Sequence, residues 1–392
     1  MKSEWKTYKL GEIYEVHNGL SKGRKFFGRG YPFLSFSTVF NHYFLPAHLN
    51  DLVESTDKER ESLSIRRGDV FVTRTSETYN ELGMTSVALR DYPEATYNGF
   101  TKRLRPYREH LVIPEFIGYY LRNPHFRRKF EQISNVTTRA SLNNGDLLNM
   151  EVSIPPLDIQ RKIASILSAL DDKIETNNAI CRNLEEQSQA LFSSFYHIES
   201  KETPFTDIIQ ILGGGTPKTG EDDYWNGVIP FFTPKDVQSP YTFNTEKTLS
   251  ELGLKNCNSK LYPQGTTFVT ARGTVGKIAM AGIPMAMNQS CYALVSEKLH
   301  PLLVYYYALE VVLSLKQKSS GSVFDAIVTR DFNGESINLL SKKSTSEFLR
   351  LSVPIHEKIR DILLENEKIA IMRDAILPKL MKGELDLDKI EL

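Results

Sequence analysis

The chain has 392 residues with 48 basic and 48 acidic side chains, so it carries no formal net charge. At 41% apolar and 24% charged it is ordinary for a globular protein of two to three domains. No apolar run reaches the ~18 residues of a membrane span, the start Met1-Lys2-Ser3-Glu4-Trp5 has no signal-peptide core, and the scattered Cys181, Cys257 and Cys291 argue for reduced thiols in a cytoplasm, against a disulfide frame or a zinc site.

Charge is unevenly spread. Residues 1–150 carry 22 Lys+Arg against 17 Asp+Glu, whereas residues 151–200 carry 4 against 8. A neutral whole therefore does not exclude a polyanion partner, which needs only a local basic patch.

In chain order, residues 5–16 suggest a short helix with Leu10, Ile13 and Val16 on one side. Residues 31–39 form an aromatic strand candidate. Val70-Phe71-Val72-Thr73-Arg74 reads as a strand by its β-branched and aromatic residues, as do residues 85–89. Residues 113–130 read as a helix with Phe116, Tyr119, Tyr120 and Phe126 inside and Arg122, Arg127, Arg128 and Lys129 outside.

Residues 157–203 contain neither proline nor glycine. Apolar or small residues recur at Ile163, Ile166, Leu170, Ile174, Asn177, Cys181, Leu184, Ser188, Leu191 and Phe195. This is the spacing of a helix that offers one seam to a partner helix. With Asp158 as N-cap and an end at Tyr196, the helix would run roughly 55–60 Å.

Residues 201–340 repeat the order of the first part. Ile229-Pro230-Phe231-Phe232 matches Tyr31-Pro32-Phe33-Leu34, and Phe268-Val269-Thr270 matches Phe71-Val72-Thr73. Residues 302–315 match the helix that begins near Ile113. A shift of 185 places Leu170 on Ile355, Lys173-Ile174 on Lys358-Ile359 and Leu184 on Ile369. The chain is a duplication, with two globular segments each followed by a long helix. The second seam reads Ile355, Ile359, Ile362, Asn366, Ile369, Arg373, Ile376 and Leu380. Ser344 and Glu347 suggest a capping box, Pro354 a break before Ile355, and Pro378 with Gly383 the end. Asn177 and Asn366 either fix the register as buried polar residues or lie at partly exposed seam positions.

Several motifs stand out: Gly214-Gly215-Thr216-Pro217-Lys218, Tyr224-Trp225-Asn226-Gly227, Ala271-Arg272-Gly273-Thr274-Val275-Gly276-Lys277, Pro155-Pro156-Leu157-Asp158-Ile159-Gln160 and Leu377-Pro378-Lys379-Leu380-Met381-Lys382-Gly383. At these residues the sequence resembles the DNA-specificity subunit of type I restriction-modification systems, over essentially the whole chain. In the first half Asn18-Gly19-Leu20-Ser21-Lys22-Gly23 replaces the Gly-Gly-Thr-Pro form. The resemblance implies a mixed α/β fold. Two pseudo-repeated target-recognition domains would be joined by two long conserved helices that pair as an antiparallel coiled coil. The expected divisions are 1–154 and 201–340 for the recognition domains, and 155–200 and 341–392 for the helices.

The resemblance also implies a non-catalytic, cytoplasmic protein that reads a bipartite site in double-stranded DNA. It would dock methyltransferase subunits, two of them, and a restriction subunit that translocates DNA. It would hold no cofactor, with S-adenosylmethionine, ATP and Mg on the partner subunits, and no membrane would be involved.

The candidate DNA-contacting residues are Lys22, Arg24, Lys25, Arg74, Ser76, Lys102 and Arg103 in the first half. In the second half they are Thr216, Lys218, Lys235, Arg272, Thr274, Lys277 and Gln289. Arginine at a strand end can hold guanine bidentately or clamp a phosphate. The bland alternative for these arginines is a surface ion pair; Arg105 stands with Lys102 and Arg103 as a further candidate, and Asn98, like Gln289, falls near a strand end and could read adenine. Gly213-Gly214-Gly215-Thr216-Pro217-Lys218 is not a nucleotide-binding loop, because Pro217 stands where a glycine must precede the lysine. No Asn-Pro-Pro-Tyr or Asp-Pro-Pro-Tyr tetrad is present, and Asp158, Asp171 and Lys173 lie on one helix, so the chemistry is expected on another chain. A protein–protein adaptor built on the same duplicated scaffold is the alternative.

Overall fold

The computed structural model describes residues 5–76, 82–133, 140–198, 201–318 and 326–387. The chain divides into two compact units, Met1–Ile174 with Lys368–Leu392, and Glu175–Glu367. Two 40-residue helices, Leu157–Tyr196 and Lys342–Met381, contribute to both units. Each is about 60 Å long at 1.5 Å per residue.

In the first unit, strands Tyr14–Asn18, Thr101–Pro106, Val70–Thr73 and Thr85–Val87 form, in that order, an antiparallel sheet. Val70, Phe71 and Val72 are wholly buried, as a run of β-branched and aromatic residues in an inner strand requires. A second sheet sets Phe27–Leu34 between Asp51–Val53 and Thr96–Tyr97, the last of these parallel. Lys6–Lys9 pairs with Glu151–Ile154, which leads into the first long helix.

The second unit repeats this plan. Its larger sheet orders Gln210–Gly213, Cys291–Val295, Thr267–Thr270, Ile278–Ala281 and Tyr241–Thr242. Trp225–Phe232 lies between Lys247–Leu249 and Ala286–Met287, and Glu202–Pro204 pairs with Ser336–Asn338. The registers repeat too: Val70 faces Leu104 in one sheet and Thr267 faces Leu294 in the other.

Within each unit the long helices pair antiparallel. In the second unit Phe192 meets Phe348 edge-on at 5.4 Å, and Cys181 packs with Ile359 and Ile362. In the first, Ile163, Ile166 and Leu167 share a core with Leu377 and Leu380. Of the expected seam, Ile163, Cys181, Ile359, Ile362 and Asn366 are buried, while Leu170, Ile174, Leu184, Leu191, Ile369 and Ile376 are half-buried. The expected seam misses Leu167 and Phe192, both 0% exposed. A helix of 3.6 residues per turn drifts against a 3.5 pattern, so the buried line moves to the neighbouring position. The two asparagines belong to the interior. Asn177 Nδ2 donates to Asn366 Oδ1 at 2.8 Å, and Asn366 Nδ2 donates to Asn178 Oδ1 at 2.9 Å.

Several local expectations fail for identifiable reasons. Residues 5–16 are not a helix: Lys6–Lys9 is a strand, Leu10–Glu12 a single 3-10 turn and Tyr14–Asn18 a strand. One turn suffices to bury Leu10 and Ile13 together. The strand Phe27–Leu34 stops where Ser35 caps the helix Phe36–Asn41, so residues 31–39 are not one strand. Residues 113–130 hold two helices, Pro114–Arg122 and Pro124–Ile133, because Pro124 keeps Asn123 out of the helical region, at ψ 134°.

Asp158 is not the cap of the first long helix. Gln160 N donates to Pro156 O, and Asp158 sits in the first turn, where a carboxylate favours the helix dipole. The second long helix starts at Lys342 and is capped by Ser341, whose Oγ accepts from Ser344 N, so Ser344 and Glu347 form no box there. It continues through Pro354, which is exposed, so the carbonyl left without its donor faces solvent. It also continues through Pro378 and ends at Gly383, whose φ of 64° suits a left-handed helix stop.

Candidate nucleic-acid interface

In the second unit, four loops converge at one end of the larger sheet. Gly215 N donates to Met287 O, and the Thr216 hydroxyl is hydrogen-bonded to Gln289 Oε1. Gly214 permits this contact, since a Cβ there would lie 2.0 Å from Asn288 O. Ala271 N and Arg272 N both donate to Ser290 O, which ties the turn 271–277 to the same place. Thr274 Oγ1 donates to Pro234 O at 3.2 Å and brings in the turn that carries Lys235. Trp225 Nε1, from the Tyr224–Gly227 motif, holds Lys218 O at 3.2 Å.

Lys218, Lys235, Arg272, Thr274, Lys277 and Gln289 are exposed there, and Thr216 is half-buried. Lys235 has a carboxylate neighbour, Glu246 at 3.5 Å, but both are more than half exposed, and such a pair holds a lysine weakly. The arrangement can present several cations and one amide to a polyanion.

The first unit builds the same loop contact with different side chains. Leu20 N donates to Tyr97 O, and a Cβ on Gly19 would lie 2.1 Å from Asn98 O. Several of its expected contacts are spent internally, however. Arg103 is 2% exposed, donates to Ser64 O at 2.6 Å and faces the Tyr97 ring. Lys102 is 4% exposed and hydrogen-bonded to Asn144 Oδ1. Burial first, then the nearby Arg74 charge, lowers the Lys102 pKa, and burial lowers that of Arg103. Both lie within the inner strand Thr101–Pro106, at the places of Tyr292 and Ala293 in the other unit, so the structure corrects their reading as DNA contacts.

Lys22 likewise is committed inside the unit, to Glu59 Oε2 and Glu54 O, each at 2.7 Å. The Lys22 hydrogen bond in turn holds the Glu59 carboxyl below its usual range. Arg105 is paired with Asp69, and Asn98 Oδ1 accepts from Phe100 N rather than facing outward. Arg122, expected outside, is buried and donates to Thr85 O and Val39 O. Arg24 and Lys25 remain exposed, with Lys25 over the Phe26 ring. Arg74 is half-buried at its strand end and reaches Asn18 Oδ1 at 3.4 Å. The Ser76 backbone pairs with Ala140, and its side chain lies outside the described residues.

Nothing in these loops resembles a catalytic centre. Among the described residues no cluster of three or more His, Cys, Asp or Glu could hold a metal, and no helix is long and apolar enough to cross a membrane. Burial pushes the Cys181 thiol up to about 11 and raises that of Cys291 as well, so neither is a ready nucleophile.

Two like units each gather loops at one sheet end. Residues 2–186 and 198–344 match the family described as Type I restriction modification DNA specificity domain, and the chain belongs to that family. It is accordingly a type I specificity subunit with two recognition domains, a non-catalytic member of such systems. The type I restriction enzyme HindI specificity subunit of Haemophilus influenzae is 22% identical, over 98% of this chain and 100% of its own. The MjaIX specificity subunit of Methanocaldococcus jannaschii is 24% identical, over 99% and 95%. In fold the chain is similar to the S subunit of a type I restriction-modification system from M. genitalium, with a TM-score of 0.54 at 12% identity over 96% of both chains.

Proposed function

We propose that each unit reads one half of a split site in double-stranded DNA, and that the length of the two long helices sets the gap between the half-sites. In the second unit Lys218, Lys235, Lys277 and Arg272 engage phosphates or guanine edges, and Gln289, held by Thr216, reads a base through its amide. In the first unit Arg24, Lys25 and Arg74 take the corresponding part. The observation that carries this reading is the convergence of four loops with exposed cations at one sheet end.

On this reading the bond-making lies elsewhere. Two methyltransferase subunits dock on the protein, S-adenosylmethionine is theirs, and a translocating restriction subunit brings ATP and Mg. The complex acts in the cytoplasm. The buried asparagine pair in the helix seam supports a fixed helix register, because a shift of one turn would leave both amides without partners.

Methylation-sensitive sequencing of genomic DNA tests the proposal, and the expected result is adenine methylation at one bipartite motif. A continuous motif would overturn it. Lengthening both helices by one turn should change the gap and leave both half-sites unchanged; altered half-sites would remove the ruler role.

A further inference from the structure

The two units share one hook at the proposed DNA-reading loops. In the second unit Asn288 Oδ1 accepts from Ser290 N at 3.0 Å, and Arg272 N donates to Ser290 O at 3.3 Å. In the first unit Asn98 Oδ1 accepts from Phe100 N at 2.7 Å, and Arg74 N donates to Phe100 O at 2.9 Å. The following residues pair alike, Thr101 with Thr73 and Cys291 with Thr270. Phe100 therefore holds the place of Ser290, and Gly99 that of Gln289. The backbone is the same and the chemistry offered at the loop tip is opposite.

Phe100 is 58% exposed, the most exposed aromatic ring among the described residues of the first unit. Single exposed apolar residues are common and carry no meaning by themselves. The position of this one is what counts. It stands beside the strand-end arginine, on the loop that in the other unit presents an amide and a hydroxyl. The same unit holds Lys22, Lys102 and Arg103 inward, so of its expected cations Arg24 and Lys25 are exposed and Arg74 is half-buried.

We infer that Phe100 is a specificity-determining residue that makes an apolar contact with bases of the half-site read by the first unit. This rests on the DNA-reading function proposed above. Two base features suit a ring at a loop tip: the thymine methyl group, and a deformable step into which an apolar side chain can wedge. The second unit would read its half-site by the hydrogen bonds of Gln289. The two half-sites would then differ in the kind of contact as well as in sequence.

The test selects duplexes from a randomised library with the full chain assembled with its methyltransferase subunit. Wild type is compared with Phe100→Ala, Phe100→Ser and, as a control for phosphate contact, Lys218→Ala. Both Phe100 variants are expected to relax one or two adjacent positions in one half-site only, and to weaken binding of the wild-type motif about tenfold. Their log-salt slope should stay that of wild type, because a ring releases no counterion, whereas Lys218→Ala should shallow it by about 0.9. Deoxyuridine in place of thymine at the affected positions reports the methyl contact, and 2-aminopurine fluorescence reports an opened step. A Phe100→Ala protein that selects the wild-type motif with wild-type affinity overturns the inference, as does loss of both half-sites together. A wild-type protein that selects no bipartite motif overturns the DNA-reading function itself.

Discussion

The two places where a recognition unit grips the helix pair are equivalent by position and opposite in chemistry. In the first unit Asp171 accepts from the Tyr119 hydroxyl and from Arg373 Nη1, each at 2.6 Å, and Arg373 lies 5.6 Å from the Tyr43 ring centroid. A shift of 185 carries Asp171 to His356 and Ser188 to Arg373. In the second unit His356 Nε2 is 2.8 Å from the Tyr306 hydroxyl and its Nδ1 is 3.1 Å from that of Tyr241. The helix tyrosine is retained, Tyr119 in one unit and Tyr306 in the other, while Tyr241 takes the register place of Phe44 and the ion pair becomes a neutral imidazole and a small buried serine. Burial works against the Arg373 charge, but Asp171 and then Asp374 outweigh it and hold its pKa up. Nothing compensates His356, and burial pulls its pKa down to about 4. One fold thus accepts two solutions at the same joint: a partly exposed charged pair, or a buried polar cluster among aromatic rings.

This contrast can be broken at its strongest point first. Phe192 is 0% exposed, stacks on Tyr306 at 4.9 Å and meets Phe348 edge-on. Phe192→Ala should lower stability by about 3–5 kcal/mol. Its counterpart under the same shift, Leu377, is a smaller aliphatic side chain that can make no ring–ring contact, so Leu377→Ala should cost less; urea unfolding compares the two, and equal losses would deny the aromatic joint its special weight.

The pH response should separate the units next. His356 is 3% exposed, and its pKa is lower folded than unfolded, so its contribution is whole above pH 6.5 and is lost as the pH falls towards 4. Over that window the second unit should lose up to about 3 kcal/mol. Hydrogen exchange at pH 7 and pH 5, resolved by segment, should show protection falling more in Glu175–Glu367 than in the first unit. His356→Gln should flatten the difference.

Asp171→Asn should destabilise the first unit by about 1–3 kcal/mol, below the figure for a fully buried pair because both partners are partly exposed. The loss should persist in high salt if the Tyr119 hydrogen bond carries it, and shrink if the Arg373 charge does. The smallest effect distinguishes charges that hold the fold from charges that face outward. Arg103→Ala should cost about 1–3 kcal/mol of stability, through the lost hydrogen bond of a buried charged group to Ser64 O, which keeps Arg105 Nη2 as its other donor. Lys218→Ala should leave the melting temperature unchanged and alter only the salt slope of DNA binding.

The long helices were legible because their signal is local and repeated. In the first, forty residues without glycine or proline, and in both a seam that recurs every three or four, survive small errors of register. The misplacement of Leu167 and Phe192 by one position shows the size of that error. Pro354 misled because sequence does not tell which side of a helix faces water, and a lost donor matters little on the wet side.

The amino-acid sequence by itself determined the duplication, the two long helices and the family, since each rests on patterns repeated along the chain. It also placed the Gly214–Lys218 and Arg272–Lys277 motifs, because glycines at a close approach leave a mark in sequence. Tertiary structure alone decided which cations are available. Lys22, Lys102 and Arg103 look like Lys218 and Arg272 when read along the chain, but their partners Glu59, Asn144 and Ser64 lie 37, 42 and 39 residues away. A cation is held by whatever acceptor the fold brings within about 3 Å of it, and that neighbour is set by long-range folding, not by the residues beside it.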